Sequence, residues 1–553
     1  MRLILAWVVV NGLLMGPVWL SSAVADGPSP GWLALEAALL VGLLALLPKR
    51  PWSKALAYAA GFAVLLITVV GFASVVFQVS LARPLNLFID LGLLRSVYDL
   101  AVGNIGLPMT IVAMVAIVVI LSLTTWGLGR LLAPLDLEGR PALPRLAPRF
   151  MGIALIALFG LGLTHETSPV VQSRLATPVW ALAKEQGGLL LLTWRERGRF
   201  RAEMASRPAS YAGVPDLLGK LRDRDVMLTF IESYGMSALN DPQFAQTVGP
   251  RLDSLAARMA ASVIQLASGR LTSSTQGGQS WLAHGSMISG LWLSSQPRYE
   301  LLMANDRETL VDDFRHSGHR TIAVMPAIIM RWPEGERLRY DQVFTAPDIP
   351  YEGPPLYWVT MPDQFTWSFV EHGVRDTPHD KPLFVETALV SSHAPWVPTL
   401  PMVEWERIGN GAAFAPFRQD GHPPKELWID TDQLRANYAR SLDYSLQAMA
   451  EYAEKYLDDH TLLIVLGDHQ AAPWVTNSND PDVPVHVLAR DRALIQPFLD
   501  WGFRAGAFPD PNQRERRMDQ FRDWFVNAFS GALSAAAVDT AATHAPPAEG
   551  PTP

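Results

Sequence analysis

Acidic and histidine residues follow two apolar segments of this 553-residue chain. Glu232 comes at the end of DVMLTFIES (225–233), and Asp468 and His469 come at the end of HTLLIVLGDH (460–469). Both segments are typical of buried strands, and ligands collect beyond the carboxyl ends of parallel strands. Two carboxylates and one imidazole at such an edge predict a site for one divalent cation, Mn, Mg or Zn. Taken singly, Glu232 could instead lie in a surface turn and Asp468 could cap a helix.

A hydroxyl group that could act as a nucleophile lies in TSSTQGGQSWLAHGSMISGL (272–291). Gly277-Gly278 predicts a flexible turn, and a helical pattern begins at Ser280 and runs to Gly290. A hydroxyl at a helix N-terminus faces free N–H groups and the positive end of the helix dipole. A cation on the same oxygen would favour the alkoxide, which is the stronger nucleophile. On spacing alone, the simpler interpretation is that Ser280 only caps the helix.

The second half of the chain predicts a domain that could position these residues. Its short apolar runs alternate with helical patterns, which indicates βα units around a mainly parallel sheet and hence an α/β fold. TIAVMPA (321–327) and PLFVETALV (382–390) are typical of two more buried strands. The segment 434–459 predicts a long amphipathic helix that leads into the second acidic strand. From about Ser530 the chain is rich in Ala, Thr and Pro, which predicts a disordered tail.

The first third of the chain predicts a helical membrane domain with about five transmembrane helices. Each of five apolar segments approaches the ~20 residues that a helix needs to cross a bilayer. The first segment could instead be a cleaved signal peptide, because Arg2 precedes it and Ala23-Val24-Ala25 ends it. The stretch 78–108 predicts an interfacial amphipathic segment or an ordinary loop with one helix. The five apolar segments are 3–24, 31–48, 54–77, 109–134 and 149–165.

Basic residues predict the orientation of these helices. Lys49, Arg50 and Lys54 lie between the second and third segments, and four arginines lie between the fourth and fifth. Because basic loops stay cytoplasmic, we expect the chain after the fifth segment to lie outside the cytoplasmic (inner) membrane, in the periplasm or extracellular space. The alternative is that these residues merely solubilise the loop ends. The predicted regions are a membrane domain (1–165), juxtamembrane linker helices (166–222), a catalytic domain (223–530) and a tail (531–553).

Composition excludes several kinds of site. The chain has no cysteine, which excludes disulfides, thiolate metal sites and a cysteine nucleophile. The formal net charge is −8, so no basic surface suggests nucleic acid as a partner. Hydrophobic residues make up 49% of the chain and crowd into its first third, as expected for a membrane-anchored protein.

The order of these motifs resembles the alkaline phosphatase–sulfatase superfamily. Glu232 at a strand end, a hydroxyl at a helix start, His393 in the His-x-Pro motif of SSHAPW and then Gly-Asp-His follow one another along the chain. Five spans before an outward domain are similar to the lipoteichoic acid synthase-like branch of phosphoglycerol and phosphoethanolamine transferases. The resemblance implies a sulfatase-like α/β/α domain. It also implies that Glu232, Ser280, Asp468 and His469 ligate the metal, that Ser280 is the nucleophile, and that His393 faces the transferred group.

The same resemblance suggests further residues. Trp332 falls where the synthases carry a substrate-contacting tryptophan, and Arg331 adjoins it, so both are predicted to bind substrate. His486 lies in a region where phosphoethanolamine transferases place a histidine; it is either a substrate contact or a buried, hydrogen-bonded histidine. His284 either contacts the phosphate or packs on its helix. Asp363, in MPDQF, falls at a turn of the family and is predicted to be structural.

Two departures from the family bear on activity. The segment from Ser280 to His284 lacks the Pro and Arg from which sulfatases make formylglycine, so sulfate ester hydrolysis is not expected. The synthases use threonine, which leaves Thr275 as a competing nucleophile. The expected function is transfer of a phospho-headgroup, phosphoglycerol first, from a membrane phospholipid to a periplasmic or cell-surface glycan through a phosphoserine. The alternatives are a phosphodiesterase or phosphatase that uses water, and a non-catalytic envelope binding protein.

Overall fold

The first unit of the chain, Met1–Glu196, is mostly helical and contains one short parallel pairing of Leu33–Ala34 with Leu175–Ala176, and a large sheet lies in the second unit, Arg197–Pro553. The structure is a computed structural model. It describes residues 1–24, 31–81, 84–134, 142–164, 174–330, 332–357, 359–418 and 430–531.

Three helices of the first unit are long and apolar enough to cross a membrane: Arg2–Val24, Pro51–Ser80 and Ile105–Leu132. The other two predicted spans correspond to shorter apolar helices, Leu35–Leu46 and Leu146–Leu161. Each of the five predicted segments thus contains a helix, but the apolar stretches of these two are shorter than the ~20 residues that a span needs. The helices of this unit are α1 (Arg2–Val24), α2 (Leu35–Leu46), α3 (Pro51–Leu81), α4 (Leu87–Asp90), α5 (Leu94–Leu132) and α6 (Ala142–Thr164), and α7 (Pro178–Ser206) begins in this unit and ends in the second.

Two glycines allow α2 and α6 to pack closely. A Cβ atom on Gly42 would lie 2.8 Å from the carbonyl oxygen of Gly152, and one on Gly152 would lie 2.9 Å from the carbonyl oxygen of Gly42. Small residues let helix backbones approach where the surroundings are apolar. The two shorter apolar helices thus form one tightly packed pair.

The stretch 78–108, which the sequence assigned to an interfacial segment or to a loop with one helix, contains α4 and the first turns of α5. Gly106 interrupts the helical geometry of α5 with a φ of 78°, a conformation that glycine adopts without steric cost. The position of this stretch relative to a membrane stays a prediction.

An eight-stranded, mostly parallel sheet organises the second unit. Its strands are β1 (Asp225–Ile231), β2 (Gln265–Thr272), β3 (Arg320–Met325), β4 (Gln342–Thr345), β5 (Leu383–Leu389), β6 (Thr461–Gly467), β7 (Asp482–Ala489) and β8 (Arg504–Ala505). β1 pairs in parallel with β5 and β6, and β3 pairs in parallel with β5 and β4. The β6–β7, β7–β2 and β2–β8 pairs are antiparallel. The order across the sheet is β8-β2-β7-β6-β1-β5-β3-β4.

Helices cover both faces of this sheet, which gives three layers. Met227 and Ile231 of β1 belong to one hydrophobic core, while Leu228 and Phe230 belong to the other. A central parallel strand buried on both faces reads as a continuous apolar run, as this one does. The helices are α8 (Ser237–Asn240), α9 (Pro242–Ala261), α10 (Ser280–Ser289), α11 (Gln296–Met303), α12 (Leu310–His316), α13 (Pro333–Arg337), α14 (Asp363–Phe369), α15 (Thr431–Tyr456), α16 (Pro473–Thr476), α17 (Arg492–Asp500) and α18 (Phe521–Phe529).

The predicted α/β class is confirmed. The four predicted strands are β1, β3, β5 and β6, and the predicted helix 434–459 is α15. The sequence did not indicate β2, β4 or β8. The predicted region boundaries stay predictions, although the division between the two units falls at Glu196, inside the predicted linker.

Candidate active site

Three neighbouring strands bring acidic and histidine residues to one edge of the sheet. β1 lies between β5 and β6 and is parallel to both, so their carboxyl ends are adjacent. Glu232 follows β1, Asp468 and His469 follow β6, and His393 lies in the loop after β5. This is the edge at which an open parallel sheet gathers its ligands.

Glu232, Asp468 and His469 converge as the sequence predicted. One potential ligand atom from each residue lies within 4.8 Å of the other two. His469 Nε2 is 3.3 Å from Glu232 Oε1 and 3.7 Å from Asp468 Oδ2. Asp468 and His469 are buried, and Glu232 is half-buried. We call these three residues the acid–histidine cluster.

Ser280 joins this cluster through its hydroxyl group. It is the first residue of α10, and the N-cap is Gln279, which has a φ of 64°. Ser280 Oγ lies 3.2 Å from Glu232 Oε2 and 3.3 Å from His469 Nε2. The interpretation of Ser280 as only a helix cap is therefore wrong. The competing hydroxyl, that of Thr275, donates to the carbonyl oxygen of Gly278 at 2.7 Å.

Backbone groups hold the cluster in place. Asp468 Oδ1 accepts from the N–H groups of Ser233 and His469, at 2.8 and 2.6 Å. His469 Nδ1 lies 2.9 Å from the carbonyl oxygen of Gln470, so Nδ1 is the donor and Nε2 is free to act as a ligand. Ser233, directly after Glu232, has a φ of 58°. Such a left-handed residue costs ~1–3 kcal/mol and is common where a site must be held open.

The charges of the cluster compensate one another. Burial raises the pKa of Glu232, but the hydrogen bond and charge of His469 outweigh burial and hold this pKa below its usual range. Burial and the charge of Glu232 raise the pKa of Asp468 to about 6. Burial lowers the pKa of His469, but the two carboxylates outweigh it and raise this pKa to about 9. The histidine proton thus offsets carboxylate charge, and a divalent cation on the same atoms would supply that positive charge instead. The oxygen-rich donor set with one imidazole fits such a cation.

The loop that carries His393 is tied to the cluster. Ser392 Oγ donates to the carbonyl oxygen of Glu232 at 2.6 Å. His393 Nδ1 lies 2.6 Å from the carbonyl oxygen of Ala394. The charge of His393 helps to lower the pKa of Glu232, so its ring lies within electrostatic range of the cluster. The structure thus places His393 beside the cluster, and its role in the reaction stays a prediction.

Asp363 anchors the same loop from the start of α14. Its Oδ1 accepts from the N–H groups of Val390 and Ser391, both at 2.8 Å, and its Oδ2 accepts from Ser445 Oγ at 2.6 Å. Burial raises the pKa of this carboxyl group. These bonds describe a structural residue, in keeping with the predicted role.

Replacing Asp363 with alanine should therefore destabilise the second unit and lower activity. The change leaves the N–H groups of Val390 and Ser391 without an acceptor, and each unsatisfied buried group costs ~1–3 kcal/mol. We expect a loss of about 3 kcal/mol in the free energy of unfolding. Thermal unfolding of the detergent-solubilised chain would measure it. Asp306→Ala, at a side chain that is 92% exposed, is the control. Equal melting temperatures for the two variants would contradict the anchoring role.

One of the predicted substrate-binding residues, Trp332, lies at the start of α13. Trp332 is the N-cap of that helix and packs against a hydrophobic core, with its ring 6.4 Å from that of Tyr340. Within the part of the chain that the structure describes, no hydrogen bond or ion pair joins Trp332 to the acid–histidine cluster. Arg331 lies outside the described residues.

His486, the third predicted substrate contact, is buried in β7. Its Nε2 lies 3.0 Å from the Tyr234 hydroxyl and its Nδ1 lies 2.8 Å from Ser268 Oγ. Burial lowers the pKa of His486 to about 4. Both ring nitrogens are engaged by the protein, so His486 matches the alternative of a buried, hydrogen-bonded histidine. The geometry does not support substrate binding.

Sequence reasoning missed Glu386, in the middle of β5. This carboxylate is 1% exposed. Its Oε1 lies 2.8 Å from His284 Nδ1, and the Tyr340 hydroxyl donates to its Oε2. The signal was present, because a glutamate inside the apolar run PLFVETALV needs buried partners.

No protein-family profile and no curated protein sequence matches this chain. Solved structures that it resembles include three transferases or synthases. The integral membrane protein lipooligosaccharide phosphoethanolamine transferase A from Neisseria meningitidis is 12% identical, with 90% of this chain and 87% of that chain covered, at a TM-score of 0.46. The lipoteichoic acid synthase from Listeria monocytogenes is 14% identical over 50% of this chain and 69% of that chain, at 0.35. The Streptococcus pyogenes phosphoglycerol transferase is 14% identical over 49% and 70%, at 0.33.

These structures are of the kind that the sequence motifs resemble. At such identities and TM-scores, however, the likeness assigns no activity to this chain.

Proposed function

We propose that this protein transfers a phospho-headgroup, with phosphoglycerol as the first candidate, from a membrane phospholipid to a glycan through a covalent phosphoserine at Ser280. One observation carries the proposal. Ser280 Oγ lies 3.2 Å from Glu232 Oε2 and 3.3 Å from His469 Nε2, beside the buried carboxylate of Asp468. A hydroxyl held between a carboxylate and a histidine at a helix N-terminus has the surroundings of an activated nucleophile.

Glu232, Ser280, Asp468 and His469 would hold the divalent cation. When bound, it would supply positive charge that favours the alkoxide and offsets charge on the phosphoryl group. The chain itself orients two of these ligand residues. Backbone N–H groups hold the carboxylate of Asp468, and a carbonyl oxygen fixes the tautomer of His469.

The reaction then has two displacement steps at phosphorus. The Ser280 hydroxyl first loses its proton to solvent, and Oγ then forms a bond to phosphorus while the bond from phosphorus to the diacylglycerol oxygen breaks. His393 would donate a proton to that oxygen, and diacylglycerol leaves. An acceptor hydroxyl then forms the new bond to phosphorus, and the bond to Ser280 Oγ breaks. The three apolar helices of membrane-spanning length support a lipid donor. We place the second unit on the outer side of the cytoplasmic (inner) membrane, facing the periplasm or the cell exterior, where envelope glycans lie.

Headgroup-labelled phosphatidylglycerol tests this function. The full chain, reconstituted in liposomes that contain the labelled lipid and cell-envelope glycan, should release diacylglycerol and move an equal amount of label to the glycan. Release of free phosphoglycerol with an unlabelled glycan would identify a phosphodiesterase that uses water. A reconstituted chain that releases no diacylglycerol from phosphatidylglycerol or phosphatidylethanolamine would refute the proposal.

A further inference from the structure

His284 lies on the same helix as the nucleophile Ser280 and has no part in the two displacement steps described for the proposed function. His284 follows Ser280 by four residues on α10, which places both side chains on one face of the helix. Its ring stacks on Phe230 of β1, with ring centroids 3.7 Å apart and planes inclined by 24°. Phe230 is two residues before Glu232, on the strand that leads into the acid–histidine cluster. His284 is thus a neighbour of the acid–histidine cluster.

Glu386 fixes the orientation of this ring. The carboxylate is buried in a central strand, where an unpaired charge would be strongly unfavourable. Its two oxygens are served by His284 Nδ1, at 2.8 Å, and by the Tyr340 hydroxyl. Burial and the charge of Glu386 raise the pKa of Tyr340 well above its usual value, so Tyr340 stays a donor. Glu386 therefore accepts both bonds, and Nδ1 of His284 carries a hydrogen.

This arrangement leaves Nε2 as the reactive atom of His284. A neutral imidazole with hydrogen on Nδ1 has its lone pair on Nε2. Within the described residues Nε2 makes no hydrogen bond. It is not fully buried either, so this atom is accessible to solvent. The side chain is 13% exposed. A carboxylate–imidazole pair with an open Nε2, one helical turn from a nucleophile on the same face of the helix, is suited to a general base.

We propose that His284 is the base of the second displacement, in which the acceptor attacks the phosphoserine. This rests on the proposed function. The acceptor O–H gives its proton to His284 Nε2 while its oxygen bonds to phosphorus. The bond from phosphorus to Ser280 Oγ breaks, and its electron pair returns to Oγ. His284 then releases the proton to solvent. Glu386 is a positioning residue, since it acts only through the ring of His284.

His284→Asn tests the proposal. The asparagine amide can still donate to Glu386 in place of Nδ1, but nothing replaces Nε2. Phosphoserine should form at close to the wild-type rate, because the first displacement does not use His284. Turnover to the glycan should fall by ~10²–10⁴-fold, the usual contribution of a general base. Intact-mass spectrometry of the full chain, mixed with phosphatidylglycerol liposomes and glycan, should then find phosphoserine accumulated in the variant and discharged in the wild type.

Glu386→Gln gives a second, independent variant. A neutral amide no longer stabilises the protonated ring, so phosphoserine should accumulate here too, with a smaller fall in turnover. Tyr340→Phe keeps the His284–Glu386 bond, so this variant should accumulate less phosphoserine than His284→Asn or Glu386→Gln. The inference is overturned if His284→Asn slows phosphoserine formation in the same proportion as turnover, as a purely structural residue would, or if it leaves turnover unchanged. Failure of the proposed function looks different, because then wild-type protein forms no phosphoserine at all.

Discussion

The Ser280→Ala variant should lose transfer activity by at least ~10³-fold, together with the covalent phospho-adduct. The reason is geometric, since Ser280 supplies the hydroxyl that lies 3.2 Å from Glu232 Oε2 and 3.3 Å from His469 Nε2. Alanine favours helix, and the N-cap is Gln279, so α10 should remain intact. Peptide mass spectrometry after incubation with phosphatidylglycerol liposomes would locate the adduct in the wild type, and headgroup transfer would give the rate.

Thr275→Ala is the matched control for this experiment. Its hydroxyl is in the same loop–helix segment but donates to the carbonyl oxygen of Gly278, so its loss should leave the adduct in place. Ser280→Thr should retain activity, because threonine offers the same hydroxyl. An adduct that survives in Ser280→Ala and disappears in Thr275→Ala would show that Thr275, and not Ser280, is the nucleophile.

The edge of the sheet could be predicted from sequence because its signals are local. Glu232 and Asp468 each follow directly on an apolar run, and β1 and β6 are buried on both faces, so both the strands and their polar ends were visible. Parallel strands then bring their ends together without further information. The apolar helices of the first unit were visible for the same reason. The lengths of these helices were harder to predict, since helix ends carry weaker sequence signals than helix centres.

The rest depended on pairings that span long stretches of chain. β2, which leads to Ser280, reads QLASGRLT, and its Gly269 and Arg270 break the apolar pattern of a strand. The contact between Ser280 and Glu232 was therefore predicted from the resemblance to the family and not from the pattern of strands. The His284–Glu386 bond joins residues 102 positions apart. No local pattern reports such a pair, although the buried charge in β5 showed that some partner must exist.

Asp468→Asn should separate the structural role of this residue from its role as a metal ligand. Asp468 Oδ1 accepts from two backbone N–H groups, and asparagine can keep both bonds with its carbonyl oxygen. The other carboxylate oxygen, 3.7 Å from His469 Nε2, becomes an NH₂ group that cannot bind a cation. We therefore expect a folded variant that purifies with far less divalent metal, as measured by plasma mass spectrometry, and that loses ~10²-fold or more of its activity.

Metal removal from the wild-type chain also tests whether the acid–histidine cluster binds a cation that activity requires. A chelator should abolish transfer, and adding back Mn, Mg or Zn singly should restore it and show which ion the oxygen-rich set prefers. A cation at 100 times its Kd would stabilise the wild type by about 2.7 kcal/mol, so its melting temperature should rise on addition while that of Asp468→Asn should not. Asp482→Asn, at an acidic residue that bonds Thr272 instead of the cluster, is the control and should respond like the wild type. Full activity after exhaustive chelation, with no metal retained, would show that Ser280 is activated by His469 and the carboxylates alone.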